Sequence, residues 1–278
     1  MQLRVVDNSS TGLRFVLESG IAAADDVRLA SAFVSRGGLR MIDAPLSTLA
    51  SRGGSAEFLV GLDAQGTEPE AVWYLYDLCT KRHNFALYCY VSGTRSSIYH
   101  PKLYLLKSGE DGTCSIGSSN LTAGGFARNV EINVVLTGTV EESEVSDLYA
   151  AYGQLKFHPD RVIPDEELLH LYEKLAAGER QRERTDARSE MRKSFAEKAS
   201  TLQRPKAGPH DLVGWLELVY DALPDGPFTN SDLYAKAPQF EQRFPGNKNV
   251  RAKIRQQLQV LRDLGLVEHR ETGLWQRL

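Results

Sequence analysis

YHPKLYLLKSGEDGTCSIGSSNLTAGGFARNVEINVVL, residues 99–136, packs three short β-rich runs around two turns. The runs are 102–107, 114–117 and one that starts at 130 and continues to 137. Residues two apart on a strand share a face, so His100 and Lys102 point the same way at the start of the first run. The second run ends in Gly117-Ser118-Ser119-Asn120, and the third places Glu131 and Asn133 on one side. An imidazole, an ammonium, a hydroxyl, a carboxamide and a carboxylate are therefore expected on neighbouring strand ends.

Outward from this stretch the same texture continues. Runs 27–35, 57–63 and 85–92 are rich in Val, Ile, Leu, Phe and Tyr, and helical patterns cover 39–50 and 70–81. In the second helix Val72, Leu75, Tyr76 and Cys79 recur at i, i+3, i+4 and i+7. The alternation predicts an α/β sandwich. Near Glu141 the strands stop, and 166–202 becomes charged and helical with Gly178 as its only breaker, which predicts a solvated helical connector. QRPKAGPH, residues 203–210, is a linker signal. Beyond it come three helical patterns and two strand-like runs joined at Thr272 and Gly273, the order of a winged helix-turn-helix. The expected division is 1–160, 161–207 and 208–278.

A length of 278 residues fits two domains or one large one, and 42% hydrophobic with 25% charged residues excludes disorder. The apolar runs 85–91 and 132–136 are far too short to span a membrane, mean hydropathy is −0.33, and no secretory signal opens the chain. A cytoplasmic protein without membrane contact is the expectation. Cys79, Cys89 and Cys114 are odd in number with no CxxC spacing, which argues against a disulfide framework or a zinc site.

A net charge of −3 and a pI near 6.1 count against a nucleic-acid partner only if the charge is evenly spread. It is not. Residues 243–262 hold six Lys or Arg and no acid. Val250, Ile254, Leu258 and Leu261 form an apolar stripe, and Lys248, Arg251, Arg255 and Arg262 fall largely on another face with Gln256 and Gln259. Asn247 or Asn249 suits the helix cap. Such a cationic helix followed by a hairpin fits the major groove, and the candidate DNA contacts are Asn247, Lys248, Asn249, Arg251, Lys253, Arg255, Gln256 and Gln259. Trp275 on the second wing strand is either a base contact or a core residue.

The strand-end set suits a phosphodiester. Lys102 would neutralise non-bridging oxygens, and Ser118 and Asn120 would donate to charge that develops in the transition state. His100 would be nucleophile or proton donor, with Glu131 orienting an imidazole.

In these residues the chain resembles the phospholipase D superfamily, with its H-x-K and G-S-x-N signatures. It is most similar to that superfamily's metal-independent restriction endonucleases, the BfiI and NgoFVII-like group, over residues 27–138. The resemblance implies a phospholipase D-like α/β sandwich with a mixed central sheet, and a site of His100, Lys102, Asn120 and Glu131, with Ser118 as a further phosphate contact. It implies a reaction in which one histidine attacks phosphorus and a second protonates the leaving oxygen, with no metal or other cofactor. Only one His-x-Lys is present in the sequence, so a homodimer with one shared active site is expected. One departure stands out: Lys107 occupies the position, five after the lysine, where the superfamily has an acid.

Residues 211–278 resemble the C-terminal winged helix of DpnI and other restriction enzymes. Together the two resemblances imply a type II or modification-dependent restriction endonuclease acting on double-stranded DNA, with dependence on adenine methylation left open. The alternatives are a non-cleaving DNA-binding regulator that uses the nuclease-like domain for dimerisation, and turnover of phospholipids or other phosphodiesters.

Overall fold

The structure is a computed structural model that describes residues 1–8, 12–63, 65–91, 98–181, 185–247, 249–271 and 273–278, with backbone alone at 179–181, 185–189 and 271. Its first body is built on a mixed sheet of eight strands: β1 (Gln2–Asp7), β2 (Asp26–Ser31), β3 (Ser55–Gly61), β4 (Phe85–Tyr90), β5 (Lys102–Ser108), β6 (Asp111–Gly117), β7 (Ile132–Thr139) and β8 (Arg161–Val162). They are ordered β1-β7-β6-β5-β2-β3-β4-β8. β2, β3 and β4 are parallel, and every other pairing is antiparallel. The parallel strands need crossovers, supplied by α2 (Arg36–Ser51) and α3 (Pro69–Thr80).

α2 and α3, with α1 (Leu13–Ala23), cover one face of the sheet. α2 starts where Ser35 Oγ accepts the Gly38 N–H at 3.0 Å, and it buries Leu39, Ile42, Leu46 and Leu49. The other face is covered by α4 (Ser143–Lys156), whose Val145, Tyr149 and Tyr152 pack on Leu103, Leu105 and Cys114. The six expected strands and two expected helices form with boundaries shifted by a few residues; Ser92 lies outside the described residues. α4 has no sequence signature because it buries two sides. Its Ser146 accepts the Trp215 N–H at 2.8 Å and its Ala150 joins the core of the C-terminal body, so no single apolar stripe remains.

The charged segment differs from its expectation. α5 (Glu166–Gln181) runs through Gly178, and α6 (Thr185–Thr201) follows it. Leu168, Leu169, Tyr172, Phe195 and Ala199 belong to the main core, and the Tyr172 hydroxyl donates to the Asp63 and Thr67 carbonyl oxygens at 2.9 and 2.8 Å. These helices form a hairpin packed on the sheet domain rather than a solvated arm. A few apolar anchors suffice, because each helix needs only one narrow inward stripe.

The C-terminal body contains α7 (Trp215–Asp221), β9 (Phe228–Thr229), α8 (Asn230–Tyr234), α9 (Ala237–Arg243), α10 (Val250–Asp263), β10 (Val267–Glu271) and β11 (Leu274–Arg277). Its strands are ordered β10-β11-β9. Trp215 is fully buried, stacked on Phe244 at 4.3 Å between ring centroids. What reads as one middle helix is two short ones, α8 and α9, the first held by a Thr229 and Asp232 capping box. The two bodies meet through α4. Lys156 Nζ, buried, bonds Glu57 of β3 at 2.8 Å and Asp211 at 2.7 Å, Lys253 pairs with Asp147, and Arg243 with Glu141. Among the described residues no helix is long and apolar enough to cross a membrane.

Candidate active site and nucleic-acid interface

Strand register builds the first site. Ser31 at the end of β2 pairs with Lys102 at the start of β5, Leu103 with Ile116, and Gly117 at the end of β6 with Asn133. The ends of β2, β5, β6 and β7 thus share one edge of the sheet, beyond the carboxyl ends of the parallel strands, where open α/β sheets place their ligands. Lys102 Nζ lies 2.8 Å from His100 Nδ1, 3.0 Å from Nε2 and donates to the His100 carbonyl oxygen at 3.0 Å. Lys102 is buried while the imidazole is exposed. Burial pushes the Lys102 ammonium below its usual range, and the Glu131 carboxylate acts against that shift.

Ser118 Oγ donates to Glu131 Oε2 and accepts the Ile132 N–H at 3.0 Å; Asn129 Nδ2 donates to Glu131 Oε1 at 3.1 Å. The bonds of Glu131 therefore hold the hydroxyl and the turn, and none of them reaches His100 among the described residues. Asn120 Oδ1 accepts the Phe33 N–H at 3.1 Å, which fixes the amide and leaves Nδ2 as its donor. Gly125 is required behind it, since a Cβ there would lie 2.3 Å from the Asn120 carbonyl oxygen. Asn133 differs from its expectation. It is buried, donates to Ser119 Oγ at 2.8 Å and accepts the Ser119 N–H, so it braces the G-S-S-N turn from inside.

All five nominated residues, His100, Lys102, Ser118, Asn120 and Glu131, are thus on one sheet edge. Two contributors were not nominated. Phe33 meets His100 edge to face at 5.6 Å, and Ser31 Oγ donates to the Phe33 carbonyl oxygen at 2.7 Å while accepting the Leu121 N–H at 2.9 Å. Both lie some seventy residues upstream of the motif, and nothing local in the sequence marks them. Lys107, by contrast, is at the far end of β5 opposite Asp26 and Gly112, a strand length from His100. It takes no part in the site.

The second candidate surface is α10. Arg251, Arg255, Gln256, Gln259 and Arg262 are exposed on one arc, and Val250, Ile254, Leu258 and Leu261 are buried as the stripe predicts. Tyr234 of α8 organises the arc: the Arg251 guanidinium lies 5.5 Å over its ring, and Arg255 Nη1 donates to its hydroxyl at 3.1 Å. Asn249 is exposed at the N-cap position but makes no side-chain cap; Asn247 Oδ1 instead accepts the Asn249 N–H at 2.8 Å. Lys248 lies outside the described residues. Two nominated contacts leave the surface. Lys253 is 7% exposed and paired with Asp147, because α10 carries a second inward side that faces α4. Trp275 is 7% exposed, in the core of its body beside His269 at 4.5 Å, so the packing alternative holds. Among the described residues no group of three or more His, Cys, Asp or Glu is placed to hold a metal ion.

Comparison with known proteins matches this two-part geometry. Residues 22–152 match the family model described as cardiolipin synthase, phospholipase D-like domain, and residues 213–277 match the Dam-replacing helix-turn-helix domain. No curated protein matches significantly. Similar solved structures include Nuc, a phospholipase D family member from Salmonella typhimurium, at 20% identity and TM-score 0.37, covering 50% of this chain and 84% of that one. NucT from Helicobacter pylori is 18% identical with TM-score 0.39, covering 56% and 94%. Phosphatidylserine synthase from Haemophilus influenzae is 14% identical with TM-score 0.46, covering 72% and 47%. The chain carries a phospholipase D-like domain joined to a Dam-replacing helix-turn-helix domain.

Proposed function

We propose that this protein is a restriction endonuclease, type II or modification-dependent, that hydrolyses DNA phosphodiester bonds through a phosphohistidine. The observation that carries the reading is the meeting of His100, Lys102, Ser118 and Asn120 on one sheet edge, in a chain that also presents an arginine-lined helix on a DNA-binding module. In this scheme the His100 nitrogen attacks phosphorus, the P–O bond to the leaving strand breaks, and a second histidine delivers a proton to the departing oxygen. Water then attacks the phosphohistidine, frees the 5′ or 3′ phosphate and restores the imidazole. Lys102 and the Asn120 amide bind the non-bridging oxygens, and Ser118, held by Glu131, adds a contact at the rim. Those charges and donors supply the electrostatic work that a metal performs in other nucleases, so cleavage is expected in EDTA.

The second histidine comes from a second copy. β1, β7 and β6 leave Leu3, Val5, Ile132 and Ile116 exposed on one face of the sheet, next to Ser118 and Glu131. An apolar strip that borders a site with one histidine supports a two-fold contact through which two His100 residues share one phosphate. An active monomer in sedimentation at assay concentration would overturn the shared site. α10 supplies sequence preference, with Arg251 and Arg255 suited to guanine or phosphate and Gln256 and Gln259 to adenine.

The test is incubation with differently methylated genomic DNA in EDTA, followed by sequencing of the ends. Discrete ends at one motif, in one methylation state or in all, fit the reading. Specific DNA binding without cleavage of any methylation state would favour the non-cleaving regulator.

A further inference from the structure

Phe33 follows the end of β2 and touches three parts of the site at once. Its ring meets the His100 imidazole edge to face at 5.6 Å, the Lys102 ammonium lies 5.9 Å from its centroid, and its N–H donates to Asn120 Oδ1 at 3.1 Å. Its carbonyl oxygen is pinned by Ser31 Oγ at 2.7 Å. Gly66 packs against the ring: a Cβ there would fall 2.2 to 2.5 Å from three ring atoms, so any side chain at this position would displace the phenyl. Gly66 is not among the glycines with positive φ, so an alanine there would be opposed by the ring and not by its own backbone.

We propose that Phe33 is the positioning residue of this site, holding the His100 imidazole against Lys102 with its ring and the Asn120 carboxamide toward the substrate with its backbone N–H. The proposal rests on the reading that His100 and Asn120 act on a phosphodiester. Imidazole at an exposed strand end has two free torsions and several rotamers. An edge-to-face aromatic contact biases such a choice roughly two- to tenfold, and a displaced nucleophile loses more than that in rate, because attack requires alignment within a fraction of an ångström. Lys102 Nζ lies 2.8 and 3.0 Å from the two imidazole nitrogens, so it can donate to whichever carries the lone pair, and the ring position that Phe33 enforces keeps the imidazole against the ammonium. Gly66 is the other half of the device: it sets how far the phenyl leans toward His100.

The experiment combines ¹⁵N spectra of histidine-labelled protein, with His100 assigned by its absence in His100→Ala, and cleavage kinetics in EDTA. Wild type and Phe33→Tyr, which keeps the ring, are expected to show one set of His100 ring signals. Phe33→Ala, Phe33→Leu and Gly66→Ala are expected to show broadened or multiple His100 ring signals with kcat lowered about ten- to a hundredfold and KM little changed. Because Gly66 acts through the ring, Gly66→Ala in a Phe33→Ala background is expected to add nothing. An unchanged His100 spectrum in Phe33→Ala and Gly66→Ala, or defects that multiply in the double variant, would overturn the proposal. A wild type that cleaves nothing, with the spectral effect present, would remove the nuclease reading and leave the positioning role standing.

Discussion

The strand-end site and the recognition helix were nominated from the same sequence with different results. Every nominated strand-end residue reaches one sheet edge, whereas Lys253 and Trp275 turn inward. The difference is one of geometry. Lys102 opens β5, and His100, Ser118, Asn120 and Glu131 lie just beyond the ends of β5, β6 and β7, so pairing these strands in register delivers their flanking residues to one edge. A helix offers a continuous circle, and how much of that circle is buried depends on what else docks there. α10 meets its own domain on one side and α4 on the next, so Lys253 becomes a contact between bodies.

The contrast can be broken most sharply at Lys102. Lys102→Met is expected to lower cleavage about 10²- to 10³-fold. It is also expected to leave the fold at least as stable at neutral pH, since an ammonium whose pKa is lowered by burial is a cost in the folded state. The sign follows from proton counting: the folded protein binds fewer protons than the unfolded chain as pH approaches 10.5, so the wild type gains on the variant there. Melting curves at neutral and alkaline pH check this, and a variant that melts much earlier at neutral pH would contradict it.

Trp275→Ala comes next. If the ring is core, removal costs about 3–5 kcal/mol, visible as a large drop in melting temperature. Intact stability with lost DNA binding would return Trp275 to the reading surface. On the exposed arc, Arg251→Ala is expected to weaken DNA binding and reduce the salt slope by about one. Lys253→Met should leave that slope unchanged while costing about 1 kcal/mol of stability, a modest figure because Asp147 remains half-exposed. Measuring both slopes side by side is the direct comparison; equal slopes would put Lys253 back on the DNA. Smallest is Tyr234→Phe, which keeps the ring beneath Arg251 and removes the Arg255 bond. Its expected mark is a loss of about two- to tenfold in preference between sequences, with unspecific affinity retained. A fall in unspecific affinity alone would show that the phenol does not order the reading arc.

What was legible in the sequence follows the same logic. β2 to β7 declare themselves as β-branched and aromatic runs, and the His-x-Lys and G-S-S-N segments carry their spacing with them. α4 was invisible, because a helix buried by a sheet and by a second domain shows no single stripe. The hairpin of α5 and α6 reads as solvated in the sequence, since a few buried anchors such as Leu168, Tyr172 and Phe195 among many charges do not lower its polarity. Phe33 and Ser31 could not be found from the motif at all: only the pairing of β2 with β5 brings them beside His100 and Asn120. The net charge of −3 misled in the same way, averaging an arginine arc on α10 against acids such as Glu141 and Asp147, two of which pair with basic side chains of the C-terminal body.

Metal-independent cleavage of DNA by His100 is the proposal on which the functional reading stands. The direct measurement is cleavage of plasmid and genomic DNA in excess EDTA by wild type and by His100→Ala, each at a concentration where sedimentation shows the oligomer. The expected result is cleavage by the wild type that chelation does not suppress and that His100→Ala abolishes. Cleavage that requires magnesium and survives His100→Ala would contradict it.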